Sequence, residues 1–537
     1  MFFALRWCCL GYLLFCCCLL PNYLEGARIL ALFPIPSPSH YYYALPYLKS
    51  LALQGHQVTS INPYPQKQPV QNFRDIPIPE VFVKLEGNAE FLNDVTKTKT
   101  RWGSSNIGNE YCVNLSKAVL NNDQVRREIL KPGKAQFDLI VVDLWRLDAL
   151  YGLAGYFDAP LIGLAPYGTD WKIDQLVGNT SPISYLHSPT STGELPNRDT
   201  YFGRLNHAVE RAVTWINWHW KFVPKHEQIY RKYFSRVADK VPLSKIASNF
   251  ALILANQHFT LAPPRPYVPN VIEVAGLHID EQQPQELPED MANFIKGAGQ
   301  PGVIYFSLGT IFQSNSLSTE RLQVLLQTFA GLPQRVLWKF EDEQLPGRPE
   351  NVFISKWFPQ QAVLAQPQVK LFITHGGMLS TVESLHYGKP MLGLPCFYDQ
   401  FRNMDHIRRM GLGLVLSLKE MSASDFKSAL RRLLTEESFA VSANETAHRY
   451  RDQPMAALAK ANWWTEYILR HKGAAHMRVA GRELDFFTYH SLDVIGTLLG
   501  AALLSLILIL AMLWQLARTI ARLRLRSERK KQKQKNL

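Results

Sequence analysis

The sequence predicts an α/β protein made of two parallel-sheet domains, followed by one membrane-spanning helix near the C-terminus. Uninterrupted apolar runs alternate with helical segments along most of the chain, and strands that are apolar throughout belong to a parallel sheet covered on both faces. The alternation stops at EQQPQELPEDMANFIKGAGQPG (281 to 302), rich in Pro, Glu and Gln, and then restarts. Residues 494 to 516, VIGTLLGAALLSLILILAMLWQL, carry no charge, and about 20 apolar residues suffice to cross a bilayer.

At 537 residues the chain exceeds one core, and its 47% hydrophobic and 12% aromatic content excludes a disordered protein. The opening MFFALRWCCLGYLLFCCCLLPNYLEGA has one early Arg6, an apolar run and small residues at Gly26 and Ala27, so residues 1–26 read as a signal peptide. Five of the seven cysteines lie within it. Cys112 and Cys396 remain, in different expected domains, so no disulfide framework is expected.

The expected N-terminal domain, 27–280, starts with a strand at 28 to 33, a Pro/Ser loop, a helix from about His40 and a strand near 57 to 61. FDLIVVDLW (137 to 145) is a further strand, carrying Asp143 near its end. Residues 281–301 read as the linker. The second domain, 302–490, has strands at GVIYFSL, RVLWKF, NVFISKW, VKLFITH, MLGLP and GLVLS, and closing helices. Ligands bind at the carboxyl ends of such strands, and a cleft between two domains is where a substrate sits.

The tail, 517–537, holds nine Lys and Arg against Glu528, a charge of +8 out of the formal +13, leaving +5 for the rest. The positive-inside rule puts this tail in the cytosol and residues 27 to about 490 in the lumen. The basic balance is thus topology, and no nucleic-acid partner is expected. KQKNL at the end resembles a KxKxx endoplasmic-reticulum retrieval signal. Asn114, Asn179 and Asn444 open glycosylation sequons. No GxGxxG after a strand, no P-loop and no HExxH occurs, and no metal site is expected.

THGGMLSTVES (374 to 384) follows the run VKLFI. A strand, a glycine turn and a helix N-terminus make an anion site, to which His375 and Ser380 can add donors. An ordinary βα turn fits the same residues, with Gly at a tight corner and Ser or Thr as a cap.

The wider stretch WFPQQAVLAQPQVKLFITHGGMLSTVESLHYGKPMLGLPCFYDQ (357 to 400) resembles the donor signature of the UDP-glycosyltransferases, W-x-x-Q, T-H-G-G-x-x-S-x-x-E, G-x-P and P-x-x-x-D-Q. IYFSLGT (304 to 310), NQHFTLAPPRPYVPNVIEVAGLHI (256 to 279), YRDQPM, RHKGAAHMR and YHSLDVIG are similar to the same family, so the resemblance covers essentially the whole chain. THGGMLS with DQFRNM looks most like its insect branch.

The resemblance implies the GT-B fold, two facing Rossmann-like domains, and an inverting transfer of a hexose from a UDP-sugar to small lipophilic hydroxyl acceptors, as in detoxification. It implies that Trp357 stacks on uracil, that Glu383, with Gln360 nearby, binds the ribose hydroxyls, and that His375, Ser380 and the backbone at Gly376 and Gly377 hold the diphosphate. Ser307, Gly309 and Thr310 form a second turn facing it, and Asp399 and Gln400 grip the sugar. His40 is then the general base, kept neutral by the positive end of its helix, and Asp143 its orienting carboxylate, with Asp148 close by as a competitor. The UDP-sugar is a co-substrate, so neither cofactor nor divalent cation is expected. Tyr41, Tyr42, Tyr43 and VTWINWHWKF (213 to 222) are candidates for an acceptor pocket, with core or membrane-facing packing as the alternative.

Two positions depart from the family. Leu379 stands where plant and vertebrate relatives usually have Asn, and Gln366 replaces the His of "VLAH". The insect-like wording implies glucose as the donor sugar. Arg402, beside Asp399 and Gln400, keeps glucuronate as the alternative, and an inactive lipophile-binding protein of the same fold is another. The expected partners are the UDP-sugar, the acceptor, membrane lipid around one helix and a second copy of the chain. The expected setting is a single-pass type I protein of the endoplasmic-reticulum membrane.

Overall fold

The computed structural model describes residues 26–83, 101–131, 133, 136–186, 199–280 and 286–536. The expected signal peptide therefore lies almost wholly outside the described residues, as does the first part of the expected linker.

Seven strands form the first sheet: β1 (Arg28–Leu32), β2 (Gln57–Asn62), β3 (Phe73–Pro77), β4 (Leu139–Asp143), β5 (Leu161–Ala165), β6 (Phe250–Ala255) and β7 (Val271–Glu273). The order is β3-β2-β1-β4-β5-β6-β7, and neighbours run parallel. Six strands form the second: β8 (Val303–Ser307), β9 (Arg335–Lys339), β10 (Val352–Ser355), β11 (Val369–Thr374), β12 (Met391–Gly393) and β13 (Gly413–Val415), in the parallel order β10-β9-β8-β11-β12-β13. The residues of β4, β5, β6 and β8 are all buried, which is why these segments read as apolar runs rather than alternating ones. Each of the six strands expected after the linker is present.

Both sheets reverse direction once in strand order, between β1 and β4 in the first and between β8 and β11 in the second. Chain leaving adjacent strands at such a point diverges and opens a crevice at their carboxyl ends. The last residues of β4 and β8 are Asp143 and Ser307, and the segments following β1 and β11 hold His40 and His375, so topology gathers them from distant parts of the sequence.

Helices cover the sheets. In chain order those that bear on the site are α1 (Pro38–Leu53), α2 (Arg101–Asn121), α3 (Tyr201–Asn217), α4 (Glu289–Lys296), α5 (Gln360–Leu364), α6 (Met378–His386), α7 (Asp399–Arg409), α8 (Glu437–Arg451), α9 (Ala457–Arg470) and α10 (Leu492–Lys535). The expected linker is partly helical: Met291 and Ile295 of α4 are buried against β8, β9 and β11. The Pro, Glu and Gln content that marks a linker is densest up to Pro288, which lies at the N-cap of α4.

Helix α9 returns to the first sheet. Its Ala461 and Ile468 join the cluster around Tyr47 and Leu51, and Thr465 Oγ1 bonds the Tyr47 hydroxyl at 2.6 Å. Residues 479–537 form a separate unit, in which α10 contains a stretch of mean hydropathy 2.6, with none of it buried, long and apolar enough to cross a membrane.

Candidate active site

A cleft of about 1050 Å³ is lined by residues from the carboxyl ends of both sheets. On the first-sheet side, Ser37 precedes α1 in extended conformation and Pro38 occupies its first turn, where a missing N–H costs nothing. This fixes His40 two residues further in, with its ring on the cleft wall. Its Nδ1 lies 2.7 Å from Asp143 Oδ2, and Asp143 is fully buried at the end of β4. A carboxylate only accepts, so Nδ1 carries the hydrogen and Nε2 keeps a lone pair, the arrangement of a base. Asp143 Oδ1 has no hydrogen-bond partner among the described residues. Asp148 lies outside this pair, and burial pushes its carboxyl up to about 6.

On the second-sheet side, Glu383 of α6 is buried and closely held. Oε2 accepts from Gln360 Nε2 at 2.5 Å, and Oε1 faces His278 Nε2 at 2.9 Å and Gln361 Nε2 at 3.4 Å. Gln360 also donates to Ser380 Oγ at 3.1 Å and accepts from the Tyr305 hydroxyl at 3.1 Å. Trp357 stands on the rim, 53% exposed, with one edge against Tyr42 at 6.3 Å. An exposed indole on the cleft wall is not core packing.

The glycines of the two turns are also required by the protein's own packing. A Cβ on Gly309 (φ +89°) would fall 2.6 Å from the His375 ring, and one on Gly377 would fall 2.5 Å from His375 Nε2. A Cβ on Gly376 (φ +81°) would meet Met404 at 2.4 Å. Gly309 and Gly377 thus make room for the imidazole, while Gly376 sits behind the wall against α7. Ser307, whose hydroxyl accepts from Gly309 N at 3.3 Å, lines the cleft together with Thr310, Gly377 and Ser380. Gly377 begins α6 without a side-chain cap, leaving the first-turn N–H groups toward the cleft. Lys339, at the end of β9, brings a cation to the same wall, paired with Glu341 at 2.8 Å.

Burial, helped by the Lys339 charge, lowers the His375 imidazole from an ordinary 6.5 to about 4. The folded chain keeps this ring neutral at pH values where an unfolded one is protonated. Its contribution to stability is therefore present above about pH 6.5 and lost as pH falls toward 4. The buried Asp148, raised to about 6, acts with the opposite sign, so the measure is a difference. His375→Gln should flatten the pH dependence of the urea midpoint between pH 7 and 4.5, and an unchanged dependence contradicts the assignment.

Asp399 opens α7 at the cleft wall. Burial raises its carboxyl, while the Arg402 charge, a 2.7 Å bond from Asn403 Nδ2 and the nearby His40 pull it back. Gln400, which lines the cleft, accepts at Oε1 from the backbone N–H of Cys396 and Phe397, at 2.8 and 3.1 Å, which fixes the turn. Arg402 does not face the cleft. It donates to the Tyr167 carbonyl at 2.6 Å and lines a separate pocket with Arg211 and Arg265, so the cation expected beside the sugar is turned away.

The expected acceptor aromatics are mostly elsewhere. Tyr41 and Tyr43 are fully buried in the core under the first sheet, and only Tyr42 reaches the cleft. In the 213 to 222 run, Trp218 and Phe222 are core, while Trp215, Ile216 and Trp220 face outward, because a helix turns successive residues 100° apart. Besides Tyr42 and Trp357, the aromatics lining the cleft include Tyr111, Trp145, Tyr167, Phe312, Phe397 and Tyr398. They come from both halves and, apart from the adjacent Phe397 and Tyr398, stand singly in the sequence.

Leu379 packs against the first-sheet core cluster that includes Tyr43, so this departure is a contact between the two halves. Gln366 bonds the Ala362 carbonyl at 3.0 Å and accepts from Lys389 at 2.9 Å, a turn away from the cleft. Asn114 on α2 and Asn444 on α8 are exposed, whereas the Asn179 amide is tied to Asp174 Oδ1 at 2.9 Å and Val268 N at 3.1 Å. Cys112 and Cys396 are unpaired.

The family model for UDP-glucoronosyl and UDP-glucosyl transferases matches residues 48–527. The chain is 34% identical over 477 residues to UDP-glucosyltransferase 2 of Dactylopius coccus, covering 88% of this chain and 90% of that one. It is 33% identical over 400 residues to UDP-glucuronosyltransferase 2B16 of Oryctolagus cuniculus, covering 74% of each. Among solved structures it is similar in fold to the spinosyn forosaminyltransferase SpnP, with a TM-score of 0.54 at 17% identity over 83% of this chain and 99% of the other. The glycosyltransferase VinC, solved in complex with DTDP, gives 0.53 at 16% over 83% and 100%.

Proposed function

The chain belongs to the UDP-glucoronosyl and UDP-glucosyl transferase family, with its GT-B fold, and we propose that it moves glucose from UDP-glucose to a hydroxyl of small lipophilic acceptors, with inversion. The observation that carries this reading is the pairing of two half-sites on one cleft. The His40–Asp143 pair stands at one end, and the Trp357, Glu383, Gln360 and His375 set stands at the other.

The steps follow from the donors and acceptors present. An acceptor hydroxyl in the aromatic part of the cleft gives its proton to His40 Nε2 as its oxygen attacks the anomeric carbon. The bond from that carbon to the diphosphate oxygen breaks with the electron pair staying on UDP. Asp143 steadies the imidazolium so formed. Charge developing on the diphosphate meets the first-turn N–H groups of α6, the His375 ring and Lys339. Asp399 and Gln400 hold the sugar, Glu383 the ribose and Trp357 the uracil. A single displacement between a base and a leaving group on opposite sides of the sugar inverts its configuration.

Glucose rather than glucuronate is supported by Arg402, whose guanidinium is engaged by the Tyr167 carbonyl away from the cleft and is not offered to a sugar carboxylate. The setting we propose is the endoplasmic-reticulum membrane, with α10 crossing it, the basic tail cytosolic, and Asn114 and Asn444 carrying luminal glycans, in a detoxifying role.

The test is transfer to a simple phenol in membranes containing the full chain, comparing UDP-glucose with UDP-glucuronate. Transfer from UDP-glucose is expected. Transfer confined to UDP-glucuronate overturns the donor assignment, and none from either overturns the enzyme reading. A chelator should leave the rate unchanged, since the positive groups that receive the diphosphate are the protein's own. A rate restored only by added divalent cation contradicts this. Trp357→Ala should weaken UDP binding about tenfold, as stacking on a base contributes about 1–3 kcal/mol. Calorimetric titration with UDP measures it, and an unchanged affinity removes Trp357 from the uracil site.

A further inference from the structure

We propose that Tyr398 sets the size of the acceptor that the cleft accepts and holds the sugar-gripping pair Asp399 and Gln400 in register with the base. This rests on the transferase reading above. Tyr398 belongs to the second half of the molecule, immediately before α7, yet its ring is buried against Trp145 and Ile107 of the first half. The Tyr398 and Trp145 rings meet edge-on at 5.5 Å, and Trp145 in turn meets His40 at 5.2 Å. One aromatic contact therefore separates the residue before the sugar-binding pair from a ring touching the base. Both Tyr398 and Trp145 line the cleft.

The backbone supports a selected position. Tyr398 has φ +51° and ψ −132°, a conformation that residues with a Cβ rarely adopt and that persists only where surrounding packing imposes it. Arg146, directly after Trp145, also has a left-handed φ of +61°. Both side chains end over the same glycine of α2. A Cβ on Gly108 would lie 3.1 Å from the Tyr398 hydroxyl oxygen and 3.3 Å from Arg146 Nη1. Gly108 thus leaves the space into which the tyrosine reaches across the two halves. Glycine would relieve the strain at 398 but would supply no ring to close the cleft, so the side chain is what the strained position provides.

A planar ring in this place limits how far an acceptor can extend past Trp145. Removing it lengthens the acceptor space and frees Asp399 and Gln400 to shift from His40. The uracil and ribose contacts at Trp357, Gln360 and Glu383 lie on other elements and are untouched.

The experiment compares a single-ring and a multi-ring phenol with the full chain in membranes, alongside UDP titration. Tyr398→Ala should lower kcat for the single-ring phenol about tenfold and raise the multi-ring to single-ring ratio of kcat/KM at least tenfold. UDP affinity should stay within twofold, and Tyr398→Phe should restore the parent selectivity. Gly108→Ala places a methyl group against the tyrosine hydroxyl on a helix that tolerates alanine. It should move the ratio in the same direction by a smaller factor, which keeps the test decisive if Tyr398→Ala fails to fold. An unmoved ratio in an active variant, or UDP affinity and kcat falling together, overturns the inference while leaving the transferase reading intact. No transfer by the parent chain overturns both.

Discussion

His40→Ala should abolish detectable sugar transfer while UDP still binds. General bases contribute about 10²- to 10⁴-fold, and neither described carboxylate behind the ring replaces it. Asp143 is fully buried behind the ring, and Asp148 is not in contact with it. Asp143→Asn tests the orientation separately. An amide in that place can offer its NH₂ to Nδ1 and so move the ring hydrogen to Nε2, the tautomer that cannot accept a proton from the substrate. The fall in kcat should approach that of His40→Ala, and the double variant should be no worse than the single ones, because the two residues act as one unit. UDP binding, measured by titration, should stay within twofold in all three. Appreciable turnover by His40→Ala would move the base elsewhere on the cleft wall and remove the argument from Nε2.

The sequence alone groups the residues of this site where they are local. His375, Ser380 and Glu383 fall within a single turn and helix, and Ser307 and Gly309 within another, so a strand-turn-helix pattern places them together. His40 and Asp143 are 103 residues apart, and only the parallel order β1-β4 brings them within 2.7 Å. Pairing them before the sheet was known depended on resemblance. His278 had no such guide. It follows β7 of the first sheet, yet it bonds Glu383 on the second, a contact between elements that no periodicity links. The reach of Tyr398 is hidden for the same reason, since neither its backbone conformation nor its neighbour Gly108 is marked in the sequence. The choice between pocket and core left open for the aromatic run is decided residue by residue, because a run of aromatic residues on a helix divides between core and solvent. A cleft wall collects single residues from many strands. Arg402 shows the limit of adjacency: two positions after Gln400 on a helix is a turn of 200°, enough to send a cation to another pocket.

Glu383→Ala should raise the UDP dissociation constant about 10- to 100-fold and also loosen the protein. The carboxylate is in hydrogen-bond contact with three donors, from Gln360, His278 and Gln361. Its removal leaves N–H groups of a half-buried cluster without a partner, at a cost of about 1–3 kcal/mol for each group that water cannot reach. Two of these donors belong to α5 and one to the chain after β7, so the same oxygens that would receive a ribose diol also tie the two sheets together. Four lone-pair directions are available on a carboxylate and three are in use. A diol with two hydroxyls must therefore displace one donor, and the 3.4 Å contact from Gln361 is the longest and weakest. Gln361→Ala should accordingly leave UDP affinity unchanged or slightly improved, while His278→Ala should weaken UDP binding and lower the unfolding midpoint together. Combining His278→Ala with Glu383→Ala should cost less than the sum of the two, as expected for groups that serve one network. Additive losses would mean that His278 and Glu383 act on the nucleotide independently, and that the bond between them is only a by-product of two halves packing closely.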